Sequence, residues 1–149
     1  MAKSGGGGNW GTLIPRFLLA VVFIFHGGQK LFGLFDGDGI DGLVKAVTGW
    51  GWPMPGVLAR AAAATEFFGG ICLGLGLLTR FWGLGLATVM GVGIWKVHWE
   101  SGFGGPKGFE YPLVLGVLAL SLAVQGGGAL SMDEMFFKGK KAAAPKPEE

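Results

Sequence analysis

The chain has 149 residues, of which 50% are hydrophobic and only 15% are charged, and its formal net charge is +2. A water-soluble domain usually carries about 25% charged residues, so this composition excludes an ordinary soluble domain, and the small charge does not indicate a nucleic-acid partner. The single cysteine, Cys72, excludes an internal disulfide and a zinc-binding cysteine cluster. The sequence therefore predicts a small integral membrane protein of the all-α class.

Four apolar segments are long enough to cross a bilayer, which takes about 20 helical residues. They are predicted at residues 13–34, 57–79, 80–98 and 111–132, and the short loops between them favour an up-down-up-down four-helix bundle. An acidic turn at residues 36–41 and a short interfacial helix at residues 43–52 are predicted between the first two spans. We expect residues 1–12 to form a flexible N-terminal segment and residues 138–149 to form a disordered charged tail.

The basic residues indicate how the spans are oriented. With an even number of spans, both termini share one side of the membrane with Arg80 and the lysines of the tail, whereas the acidic first loop lies on the other side. Cytoplasmic segments of membrane proteins carry an excess of Lys and Arg, so both termini are predicted to be cytoplasmic. Arg16 is expected at the same end, near Thr79 and Arg80, in contact with phospholipid.

Glu66 is an ionisable residue near the centre of the second span. Such groups are energetically costly at membrane depth and usually face the bundle interior. Helical spacing puts Glu66 on one face with Ala62, Ala63, Gly69 and Gly70, and a face of small residues is expected to pack against another helix. Glu66 is therefore predicted to point inward, although a Glu66 that only hydrogen-bonds a neighbouring helix is the structural alternative.

The first span ends in a polar stripe. His26, Gln29 and Lys30 occupy positions i, i+3 and i+4, so their side chains share one face of the helix. Lys30 could simply extend its ammonium group to the interface, and His26 could be a hydrogen-bonded core residue. The other interpretation is that the stripe belongs to a functional site.

Two further polar residues are predicted at the same side of the membrane. His98 ends the third span, and a face of mostly small residues, Gly83, Ala87, Gly91 and Ile94, would turn it toward the bundle. Glu110 begins the fourth span. The topology therefore places five ionisable residues in one half of the membrane: His26, Lys30, Glu66, His98 and Glu110.

These residues favour proton handling over metal or haem ligation. His98 is predicted to lie about 10 Å shallower than His26 in regular helices, which disfavours a shared haem or metal. A pocket with proton donors and acceptors beside apolar walls would suit a quinone head group. We therefore predict Glu66 and His26 as catalytic residues and no metal site. The predicted ligand-binding residues are Gln29, Lys30, His98 and Glu110.

Several short motifs resemble the DoxX family (DoxX/DoxD-like four-helix integral membrane proteins). In chain order they are Arg16-Phe-Leu-Leu-Ala20, His26-Gly-x-x-Lys30-Leu, Glu66-Phe-Phe-Gly-Gly70, Gly76-Leu-Leu-Thr-Arg80, His98, Gly102-Phe103 and Glu110. The similarity covers about residues 13–133. It implies a four-helix fold in a bacterial-type inner membrane.

The resemblance also implies a function. Some relatives are subunits of thiosulfate:quinone oxidoreductase, and others are linked to membrane oxidoreductase complexes that handle oxidative stress. We therefore expect an accessory membrane subunit of a quinone-linked oxidoreductase, with a quinone as its non-covalent cofactor. The expected partners are membrane lipids and either other subunits or further copies of the chain. A structural or assembly subunit without its own chemistry is the competing interpretation, and a small-molecule carrier is a weaker third, because no inverted repeat is visible.

Overall fold

The computed structural model describes residues 9–136, and every regular element in that range is helical. A 3₁₀ turn at Trp10–Thr12 leads into the first helix, and a π-helical turn at Ile94–His98 directly follows the fourth. The predicted all-α class is confirmed. The five longer α-helices are α1 (Leu13–Phe32), α2 (Gly39–Gly49), α3 (Pro55–Leu75), α4 (Thr79–Gly93) and α5 (Glu110–Gln125), and residues 132–136 at the end of the described range are also α-helical.

The helix bounds differ from the predicted ranges at several points: α2 ends at Gly49 rather than at residue 52, and α3 covers Pro55–Leu75 rather than residues 57–79. α5 ends at Gln125 rather than at residue 132, because Gly126 and Gly128 take left-handed backbone angles (φ 82° and 66°) and turn the chain. α2 begins at Gly39, so Asp41 lies in a helix rather than in the predicted acidic turn. In the predicted flexible segment Trp10–Thr12 are helical, whereas residues 1–8 and the predicted disordered tail lie outside the described residues.

Glycines bring α1 and α3 into close antiparallel contact. A Cβ atom on Gly27 of α1 would lie only 2.4 Å from the backbone nitrogen of Phe67 in α3. On α3, a Cβ on Gly70 would lie 3.0 Å from the backbone nitrogen of Ile24, again in α1. Small residues allow membrane helices to approach backbone to backbone. The two helices that carry Lys30 and Glu66 are therefore held at a fixed short distance.

A second close pair is formed by α4 and α5. A Cβ on Gly83 would lie 2.7 Å from the carbonyl oxygen of Ala119, whereas a Cβ on Gly91 would have no neighbouring atom within 4 Å. The predicted small-residue face is therefore correct at Gly83 and wrong at Gly91, which is exposed. The core lies where α1, α3, α4 and α5 meet and includes Leu19, Phe23, Leu73, Leu86, Met90, Leu115, Ala119 and Leu122.

Arg16 is buried at one end of the molecule, where it connects three segments of the chain. Its side chain is only 1% exposed. Its guanidinium nitrogens donate to five backbone carbonyls at 2.8–3.4 Å, in the residues Leu73, Gly74, Gly127, Ala129 and Leu130. The predicted phospholipid contact of Arg16 is therefore wrong, because its donors are used to tie α1 to the end of α3 and to the segment after α5.

Asp133 makes a second connection at the same end. Its carboxylate oxygens accept hydrogen bonds from the backbone N–H groups of Leu78 and Thr79 at 2.7 and 2.9 Å. Its own N–H donates to the carbonyl of Gly76 at 2.9 Å. The segment that follows α5 thus supplies the acceptors for the first N–H groups of α4, which have no partner within their own helix.

The outward faces of the helices are strongly apolar. Ile14 in α1, Val57 in α3, Leu84 in α4 and Val124 in α5 are each more than half exposed. Soluble monomers rarely expose large contiguous apolar patches. Within the described residues, the segments Trp10–Phe32 and Pro55–Leu75 are long and apolar enough to cross a membrane, and α5 is a shorter apolar helix.

Candidate functional site

A cavity of about 420 Å³ lies between the α1/α3 pair and the α4/α5 pair, away from the end closed by Arg16. Small-molecule sites usually have volumes of about 300–1,000 Å³. Its walls are mostly apolar, and four of the six predicted site residues line it: His26, Lys30, Glu66 and His98. The structure thus brings together side chains from three separate parts of the chain. We call this space the internal cavity.

Lys30 and Glu66 form an ion pair in its wall. The Lys30 ammonium nitrogen lies 2.6 Å from Oε1 and 2.8 Å from Oε2 of Glu66. The Glu66 side chain is 1% exposed and that of Lys30 is 38% exposed. A buried carboxylate is very unfavourable unless it is paired, so Lys30 compensates the charge of Glu66. The prediction that Glu66 points inward is confirmed by its burial.

His26 is held by the residue one helical turn further along. Its Nδ1 lies 3.0 Å from Oε1 of Gln29, and the Gln29 amide nitrogen donates to the carbonyl of Phe35 at 3.2 Å. An amide oxygen can only accept, so Nδ1 of His26 carries the hydrogen. In the tautomer with the hydrogen on Nδ1, Nε2 is the acceptor. Gln29 does not line the internal cavity; it orients the histidine that does.

His98 reaches the internal cavity from the π-helical turn. Such a turn has i→i+5 hydrogen bonds and changes the angular position of the residues that follow it, so the regular spacing used in the sequence prediction does not apply here. Nδ1 of His98 lies 2.8 Å from the carbonyl oxygen of Lys107. Because a carbonyl only accepts, Nδ1 again carries the hydrogen, and Nε2 is again the free acceptor.

Glu110 does not belong to this cluster. It is the exposed first residue of α5 and does not line the internal cavity. A carboxylate at this position interacts favourably with the positive end of the helix dipole, which accounts for its presence without a ligand. The structure therefore does not support the predicted ligand-binding role of Glu110.

The sequence prediction missed the part of the wall that α2 and the following turn provide. α2 was expected at the interface, but Leu43, Ala46 and Val47 line the internal cavity, together with Trp50 and Trp52. Their apolar character and the one-turn spacing of the helical residues could have identified this inward face. α2 therefore covers the cavity.

The arrangement combines three kinds of group on an apolar surface. Two imidazoles offer Nε2 acceptors, an ammonium group can donate, and the Glu66 carboxylate can take up or release a proton. These groups can hydrogen-bond and exchange protons with a small, flat ligand that carries carbonyl or hydroxyl oxygens.

Comparison with known proteins identifies the family. The family model described as DoxX matches residues 11–99, which is more than half of the chain. The chain belongs to the DoxX family. The matched range contains His26, Lys30, Glu66 and His98, so the polar wall of the internal cavity lies within the DoxX region.

Three relatives resemble the chain over most of its length. It is 32% identical to "Putative oxidoreductase CatD" of Bacillus subtilis, covering 88% of this chain and 90% of that protein. It is 31% identical to an uncharacterized protein of Haemophilus influenzae (90% and 88% covered). It is 30% identical to "Inner membrane protein YphA" of Escherichia coli (81% and 86% covered). No solved structure matches the chain. The chain is thus a DoxX-family membrane protein.

Proposed function

We propose that the chain crosses the inner membrane four times, up-down-up-down, with both termini in the cytoplasm. α1 and α3 have the length of a span, and α4 with its π-helical turn covers Thr79–His98. α5 has 16 residues, about 24 Å of helix, and a bilayer adapts to a short span by local thinning. The exposed apolar side chains on all four helices support this topology.

We further propose that the internal cavity binds a quinone-type head group and that the protein is a membrane subunit of an oxidoreductase. The observation that carries this proposal is one apolar cavity lined by His26, Lys30, Glu66 and His98. A quinone head group is flat and largely apolar, and its two oxygens need hydrogen bonds and protons. The name of the Bacillus subtilis relative, which includes "oxidoreductase", agrees with this assignment.

In this proposal the chain's own residues bind the head group and move protons, and a partner subunit supplies or takes the electrons. Lys30 has one N–H beyond the two directed at Glu66 and donates it to a quinone oxygen. Nε2 of His26 and Nε2 of His98 accept hydrogen bonds from the hydroxyl groups of the reduced form. Glu66 takes up or releases the proton that leaves the internal cavity.

The test is native purification of the full-length protein from membranes, followed by quantification of bound quinone and identification of co-purifying chains. We expect Glu66→Gln and His26→Ala to lower the quinone content about fivefold, since a hydrogen bond contributes about 0.5–1.5 kcal/mol. His26→Ala removes the Nε2 acceptor, and Glu66→Gln removes the carboxylate that positions the Lys30 ammonium group. Glu110→Gln is the matched control: it also neutralises a glutamate, but outside the cavity, and should leave the quinone content unchanged.

A structural or assembly subunit is the second candidate. It is favoured by one observation: Lys30, Glu66, His26 and His98 all have partners within the protein itself. If Glu66→Gln, His26→Ala and the control all fold and retain equal quinone, or if no preparation contains quinone while partner chains are retained, the structural role replaces the quinone proposal.

A further inference from the structure

A second cavity, of about 370 Å³, lies against the outer side of Lys30. Its acidic wall consists of Asp36 and Asp38, and we call it the acidic vestibule. Three residues line both the vestibule and the internal cavity: Lys30 from α1, and Leu43 and Ala46 from α2. Because leucine and alanine cannot carry charge, Lys30 is the ionisable group in this shared wall.

The vestibule exists because the loop after α1 folds back over the end of that helix. The amide of Gln29 donates to the carbonyl of Phe35 at 3.2 Å. A Cβ on Gly37 would lie 2.5 Å from the carbonyl oxygen of Gln29, so the loop backbone lies directly on the helix end. These contacts hold the loop against the end of α1, so that Asp36 and Asp38 line the vestibule together with Lys30 while they remain exposed to solvent.

Lys30 therefore lies between carboxylates on two sides. Glu66, 1% exposed, binds the ammonium group from within, while the Lys30 side chain is itself 38% exposed. Asp36 and Asp38 are exposed and line the vestibule. The other titratable groups that line the internal cavity are His26, His98 and Tyr111. The charge on Glu66 decides which side attracts the ammonium group more strongly.

We propose that Lys30 is a gate through which the internal cavity exchanges protons with water in the acidic vestibule. While Glu66 is ionised, the ion pair keeps the shared wall closed. When Glu66 takes a proton from a group in the cavity, the carboxyl becomes neutral and the ammonium group moves toward Asp36 and Asp38. Water then reaches Glu66 and accepts the proton, the carboxylate forms again, and Lys30 returns to it. One proton leaves the cavity in each cycle, and Lys30 stays protonated throughout.

This inference rests on the proposed function only for the source of the proton, so its test uses protein without quinone. In a Cys72→Ala background, Ala62→Cys places one thiol on the wall of the internal cavity. The full-length protein in lipid nanodiscs is treated with a small anionic thiosulfonate, which cannot pass through hydrocarbon, and the rate of thiol modification is measured.

Glu66→Gln in this background should raise the modification rate about tenfold, which corresponds to about 1.4 kcal/mol. Adding Lys30→Met to Glu66→Gln should return the rate to the starting value, because methionine fills the shared wall and is not attracted by Asp36 and Asp38. Replacing both members of a buried ion pair by neutral side chains of similar size often preserves stability. Asp41→Asn, outside the vestibule, is the control for loop charge and should leave the rate within about twofold.

Two results would overturn the gate: no acceleration in folded Glu66→Gln, or equal acceleration with and without Lys30→Met. If Glu66→Gln does not fold, the pH is lowered instead. The rate of thiol modification in the Ala62→Cys protein should then rise relative to the rate in the same protein with Lys30→Met and Glu66→Gln. An unchanged ratio of these two rates contradicts the gate. If the modification rates change as expected but no preparation contains quinone, the gate is supported and the quinone proposal is rejected.

Discussion

The contact between α1 and α3 sets the distance between Lys30 and Glu66, and Gly27→Ala tests it. A Cβ atom on Gly27 would lie 2.4 Å from the backbone nitrogen and 2.7 Å from the Cα of Phe67. Non-bonded heavy atoms of this kind are best separated by about 3.5 Å or more. Because both partners are helix backbone, no flexible side chain can move away. The two helices must therefore separate by about 1 Å.

The magnitude follows from a comparison with Gly91→Ala. Overpacking a tight contact costs about 1–3 kcal/mol, whereas replacing glycine by alanine within a helix stabilises it by about 1 kcal/mol. Gly91 is also helical, and a Cβ there would have no neighbour within 4 Å, so this variant shows the helix-propensity gain alone. The difference in stability between the two variants is then the packing term, about 1–3 kcal/mol in favour of Gly91→Ala.

The assay is thermal unfolding in one detergent, followed by the reaction of a thiol-sensitive dye with Cys72, the free and partly buried cysteine of α3. We expect the unfolding temperature of Gly27→Ala to fall below that of the unchanged protein and that of Gly91→Ala to equal or exceed it. Equal unfolding temperatures for the two variants would refute the backbone contact. Phe67 directly follows Glu66 in the chain, so Gly27→Ala should also lengthen the ion pair and reduce quinone content.

Two further predictions concern the opposite end of the molecule. Arg16→Lys should lower the unfolding temperature far more than Arg80→Lys. Arg16 is buried and donates to five backbone carbonyls, and each carbonyl that loses its partner costs about 1–3 kcal/mol. Arg80 is exposed and serves as the control. Asp133→Ala should destabilise the protein by about 1 kcal/mol, the usual contribution of a helix cap; unfolding at the same temperature as the unchanged protein would contradict the bonds to Leu78 and Thr79.

The residues on α1 and α3 could be predicted from sequence because helical spacing is a local rule. His26, Gln29 and Lys30 share a face at any orientation of the helix, and the small residues around Glu66 identify that face as the packed one. Two facing helices then bring Lys30 and Glu66 close together. No information about the rest of the fold was needed beyond the alternation of apolar and polar segments.

The remaining features depend on contacts between distant segments. The sequence predicts Arg16 as an interfacial cation, but its acceptors come from distant segments: the carbonyls of Leu73 and Gly74, and three carbonyls within residues 127–130, more than 100 positions away. The π-helical turn that contains His98 breaks the regular spacing on which its predicted position relied. Gly91 was expected to pack because its neighbours Gly83 and Ala87 suggested a face, yet α5 approaches α4 closely at Gly83 and leaves Gly91 exposed.

Which helices the polar residues of the cavity connect helps to distinguish a ligand-binding site from a purely structural role. Lys30 and Glu66 join α1 to α3, His26 bonds within α1, and His98 bonds to Lys107 in the loop before α5. Each of these hydrogen bonds stays on one side of the internal cavity, whereas the rings of His26 in α1 and Tyr111 in α5 make an edge-on contact with centroids 6.3 Å apart. Residues that served to hold the α1/α3 pair against the α4/α5 pair would be expected to bond across the gap. A ligand that contacts Lys30 on one side and His98 on the other would make a hydrogen-bonded connection across the cavity, and this agrees with the proposed binding site.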